Sequence, residues 1–159
     1  MLPTIGIALC LAASGPTPAA GPAPTTLTLW PGYTINLPAG YCVTVSMGPD
    51  FRTLYFRDPA APKSPILVGL YAGHNPREPE CDKPKVREWT AEGLAFKSVR
   101  GPDACAEFAV HDPKKWERGV LHLWFGPGAK DHPQLAEGVI ASIHPAQLPV
   151  EPTDPPACK

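Results

Sequence analysis

The sequence predicts an α+β fold, a single twisted antiparallel β-sheet with a C-terminal helix packed on one face, and three observations carry that expectation. Between Tyr33 and Phe125 apolar residues alternate with polar ones in short runs, separated by Gly, Pro and Asp turns, which is the period of half-buried strands. After Phe125 the period changes: Leu135, Val139, Ile140 and Ile143 fall on one helical stripe, which needs a sheet face to bury it. Proline-rich stretches at both ends, a linker over 14–26 and a tail over 145–159, bracket a single domain of residues 27–144 with room for one modest core.

The elements follow in order. Tyr33, Ile35 and Leu37 alternate with Thr34 and Asn36 until Pro38-Ala39-Gly40 breaks the run. Cys42 to Met47 puts Val43, Val45 and Met47 on one face, and the Gly48-Pro49-Asp50 turn leads to Arg52 to Arg57. Ile66 to Ala72 is apolar on both faces, as in a strand at the middle of a sheet. Val86 to Trp89 suits a strand or a short helix, Leu94 to Val99 a strand, and Ala106 to His111 with Gly119 to Phe125 a hairpin across Asp112 to Arg118. The helix takes Asp131 as its N-cap and Pro133 in its first turn, and Pro145 stops it.

Residues 1–13, MLPTIGIALCLAA, are apolar over a length too short to span a bilayer and read as a signal peptide, with small-residue cleavage options between 13 and 20. Its departure from the pattern is an n-region with no basic side chain. Cleavage removes Cys10; Leu9, where a small residue normally precedes a lipidated cysteine, argues against a lipid anchor there. Cys42, Cys81, Cys105 and Cys158 remain, and an even set in an exported chain reads as two disulfides in a periplasmic or secreted protein. The favoured pairing joins Cys81 to Cys105, closing a long polar loop onto the start of a strand, and Cys42 to Cys158, pinning the tail. An intermolecular bridge at Cys158 is the alternative.

The 14 basic and 15 acidic residues nearly cancel and are scattered, so no stripe for nucleic acid is visible. No further apolar run reaches the ~20 residues of a membrane helix.

The opening YTINLPAGYCV (Tyr33 to Val43) and the closing LAEGVIASIHP (Leu135 to Pro145) resemble the ends of PsbP-like domains, in which a strand ending in a Leu-Pro-x-Gly turn starts an antiparallel sheet and a helix near the terminus covers it. GPDF (Gly48 to Phe51) and YAGHNP (Tyr71 to Pro76) are similar to segments of small exported bacterial proteins. Some proteins of this build are immunity proteins that block secreted toxins, and the resemblance carries over no catalytic residue.

The loop Gly73 to Lys85 is long, polar and proline-stiffened, so His74, Asn75, Arg77, Glu78 and Asp82 are candidates for contact with a protein partner. Trp116, inside a charged turn with Lys114, Lys115 and Arg118, is a candidate interface anchor, whereas Trp124 reads as core. The five histidines lack paired metal-ligand spacing; a register pairing Phe108 with His122 places His111 and His122 on opposite faces, so neither a metal nor a cofactor is expected. No G-x-S-x-G elbow or C-x-x-C pair occurs. The expected function is therefore an exported non-catalytic binding protein, an immunity-type inhibitor of a secreted toxin. The alternative is a cell-envelope hydrolase built on Asp50, His74 and His111.

Overall fold

The computed structural model describes residues 23–61, 63, 65–77, 81–102 and 105–158; the leader with its cleavage options, Cys10 and Glu78 lie outside them. Among these residues the chain forms β1 (Thr25–Leu29), β2 (Tyr33–Leu37), β3 (Cys42–Met47), β4 (Phe51–Arg57), β5 (Val68–Gly73), β6 (Lys85–Ala91), β7 (Leu94–Arg100), β8 (Ala106–His111), β9 (Val120–Phe125), the helix α1 (Pro133–Ala141) and the two-residue β10 (His144–Pro145).

The strands make two antiparallel sheets, not one. β1-β2-β10 is a small sheet and β3-β4-β5-β9-β8-β7-β6 a large one, and the protein is mostly β with one short helix. The expected α+β arrangement of a single sheet under a packed helix is thus overturned, and dimensions supply the reason. Seven strands span roughly 29 Å across six gaps, whereas a nine-residue helix is about 14 Å long. A second layer is needed, and β1 with β2 supplies it: Leu27 and Leu29 register with Ile35 and Tyr33 on the same face. All four are buried in one cluster with Leu54, Phe56, Leu70 and Leu123 of the large sheet and Leu135, Ala136 and Val139 of α1. The helix runs beside β2, whose Asn36 amide donates to Ser142 Oγ at 2.8 Å.

Other details differ from the expected ones. β5 is third in the large sheet, beside the central β9. Lys85–Ala91 is a strand at the sheet edge, joined to β7 by the two-residue turn Glu92-Gly93, whose φ values of 51° and 80° match the twist of the hairpin. Asp131 lies in a 3₁₀ turn; His132 holds the N-cap position of α1 with no side-chain capping bond.

The proline-rich tail is laid along both sheets. Thr153 and Thr28 exchange two hydrogen bonds, of 2.7 Å and 3.1 Å, on the outer edge of β1. Further on, the Val43 amide donates to the Pro156 carbonyl at 2.9 Å on the outer edge of β3. Cys158 is bonded to Cys42 and Cys81 to Cys105, so the four cysteines form two disulfides.

Candidate functional site

The register gathers one set of loops at one end of the large sheet. Phe51 pairs with Gly73, Gly73 with Val120, Val120 with His111 and His111 with Ala95, so the connections after Gly73 and His111 emerge side by side. There the His74 ring stands edge-on to Trp30 at 5.4 Å and tilted to Trp116 at 6.1 Å between centroids. His74 Nε2 lies 3.3 Å from the Glu117 carbonyl. His74, His111 and Trp116 line a shallow hollow with Asp112 and Pro113. Trp116 is 82% exposed.

This aromatic cluster sits on a buried polar lock. Arg118, 6% exposed, donates from Nε to Asp112 Oδ2 at 2.9 Å, and from Nη1 to the Gly32 carbonyl at 2.8 Å and the Ala146 carbonyl. The Tyr33 hydroxyl donates to the Gly119 carbonyl at 2.8 Å, and burial pushes its pKa well above the usual value. The Asp112 carboxylate also accepts from the Lys114 amide at 2.9 Å, which turns the chain out of β8. Gly119 has φ 63°, and a Cβ there would lie 2.5 Å from the Gly73 carbonyl oxygen, so only glycine fits. One guanidinium thus ties the β8–β9 loop, the β1–β2 connection and the start of the tail together.

The loop residues singled out by sequence do not form one patch. β5 ends and β6 begins at opposite ends of the sheet, as Gly73 shares a row with His111 while Lys85 pairs with Arg100. His74 stays with the Trp116 cluster, while the Asn75 amide donates to the Tyr71 hydroxyl at 3.1 Å. Arg77 lines an adjoining groove with Glu88, Lys97 and His111, and Asp82 is exposed near Gly101, beside the Cys81–Cys105 bridge. Asp50 precedes β4, three strand spacings or roughly 14 Å of sheet from β8, which carries His111. That distance separates Asp50 from His111, whereas His74 and His111 line the same hollow.

The β8–β9 register is Ala109 with His122, one residue from the expected pairing of Phe108 with His122. His111 and His122 therefore share the outer face of the sheet. His122 is buried there and its Nε2 is 2.9 Å from Glu107 Oε2. On the same face Trp124 is only partly buried: its indole lies flat over Gly69, where a Cβ would come within 2.1 Å of the ring, and Tyr55 meets it edge-on. It is not the core residue its apolar neighbours implied. Among the described residues, Cys81, Cys105 and Glu107 form a cluster of metal-ligand types, but both sulfurs are bonded to each other.

Comparison with protein-family models, curated proteins and solved structures found no match to this chain. The two disulfides fit a periplasmic or secreted protein. No helix among the described residues is long and apolar enough to cross a membrane.

The place of Trp30 beside His74 and the Arg118 lock escaped the sequence reading. A Trp-Pro-Gly connection at a domain boundary carries no signal of its neighbours, and two of Arg118's acceptors are backbone carbonyls far away in the chain. The Asp112–Lys114 turn was the one local clue.

Proposed function

We propose that this protein is an exported, non-catalytic binding protein that docks a protein partner at the sheet end bearing Trp30, His74 and Trp116, in the manner of an immunity-type inhibitor entering the cleft of a secreted toxin. The observation that carries the reading is a large aromatic side chain, Trp116, 82% exposed on a loop fixed from beneath by a buried arginine. Tryptophan contributes large contact area with few rotatable bonds, and a loop already ordered loses little entropy on association. The neighbouring His74 and Trp30 rings extend the contact surface.

The test is capture of partners from the envelope and secreted fractions of the producing cell with the wild-type chain and with Trp116→Ala and His74→Ala. A captured enzyme or toxin should be inhibited by the wild type, and Trp116→Ala should weaken binding by about 30-fold or more. Undiminished binding by both variants, or turnover of an envelope substrate by the purified protein alone, would refute the proposal.

A further inference from the structure

On the opposite side of the large sheet from Trp124, the edge strand β6 is left mostly exposed, and a groove runs between the β6–β8 wing and α1. It has two lobes of about 650 and 660 Å³ that meet at Arg100, Phe108, Glu137 and Ile140. Trp89 stacks on Phe96 at 5.1 Å in one lobe, with Ile143 opposite; Phe125 and Ala136 line the other. Lys85, Arg87, Arg100 and Lys130 stand around it against two acids, Glu92 and Glu137, and Glu92 is engaged by His144. The whole chain carries 14 basic and 15 acidic residues, so this excess of cations is local. Arg100 and Arg87 lie over the rings of Phe108 and Trp89 at 5.6 and 5.3 Å, extended along the apolar walls. Ser98 also lines the groove, only 5% exposed, and among the described residues its hydroxyl has no hydrogen-bond partner. A buried hydroxyl without a partner costs free energy, which a polar ligand atom would recover.

The geometry points to a binding site for a free single-chain amphipathic anion, an acyl chain along the aromatic and Ile140 walls with its carboxylate held by Arg100 and the neighbouring cations. Volume, elongated shape and a few convergent polar groups among apolar walls are those of a small-molecule site. The apolar leader does not suit the groove, because residues 1–13 bring no anionic side chain to four cations.

The experiment is calorimetric titration of the mature, oxidised protein with dodecanoate, dodecyltrimethylammonium and dodecanol, each below its aggregation concentration. Dodecanoate should bind one to one, and the cationic amphiphile at least tenfold more weakly. Arg100→Gln, an exposed position whose replacement leaves the fold intact by circular dichroism, should weaken dodecanoate about tenfold, and Ile140→Trp should fill the groove and abolish binding. Equal affinity for both head-group charges, no effect of Arg100→Gln, or no heat at 1 mM dodecanoate would overturn the site. Binding to phosphatidylglycerol vesicles without uptake of free dodecanoate would overturn the assignment to a free acid.

Discussion

Arg118 ties the loop after β8 of the large sheet to the connection and tail of the small one, and its removal is the most telling single change. Arg118→Met removes the guanidinium from the Asp112 carboxylate, 11% exposed, and from the Gly32 and Ala146 carbonyls, and should cost about 3–5 kcal/mol in denaturant unfolding. Tyr33 sets an alkaline limit. Its folded pKa is raised by burial above the usual 10.0, so the native state keeps a proton that the unfolded chain releases. That contribution is complete below pH 10.0 and is lost as pH rises beyond it. The unfolding midpoint should therefore fall as pH rises above 10.0, less steeply in Tyr33→Phe than in wild type. At this scale the cysteine pairing was readable, because each cysteine borders a loop or tail that a bridge would close. The histidine face was not: β8 and β9 are joined by an eight-residue connection, Asp112 to Gly119, whose internal 3₁₀ turn sets the register, and a slip of one residue reverses which side chains share a face.

Among the elements, α1 and the β6–β7 hairpin test the packing most directly. Val139 is fully buried between helix and sheets, so Val139→Asp should abolish cooperative unfolding, whereas exposed Glu137→Gln should leave the melting temperature unchanged. Gly93→Val forces a branched side chain to φ 80° at the hairpin turn and should cost about 1–2 kcal/mol, read by thermal melts. The two-residue alternation between Tyr33 and Phe125 was enough to locate most strands, since half-buried strands write their faces into the chain. β1 stayed hidden because its outer residues, Thr26 and Thr28, continue the Pro-Ala-Thr composition of the preceding stretch, leaving Leu27 and Leu29 as the only apolar signal. Without β1 there was no second sheet to expect, and the helix was assigned a face too wide for it.

For the whole molecule, the Cys42–Cys158 bridge closes most of the domain, its ends separated by 116 positions in sequence, and its loss should lower stability by about 2–5 kcal/mol in the Cys42→Ala, Cys158→Ala double variant. Its larger consequence concerns the sheet margins. An outermost strand offers unpaired amides and carbonyls to any passing chain. β6 guards one margin with Lys85, Arg87 and Glu88, and β10 is only two residues long. The margins at β1 and β3 are covered by the tail, whose prolines have no amide to pass on to a further strand. Reduction of one bond would release that cover from both margins together, so the reduced protein should scatter light in a concentration-dependent way while still folded. On that expectation the tail is a stopper against polymerisation, and the Cys42–Cys158 bond is what holds the stopper in place.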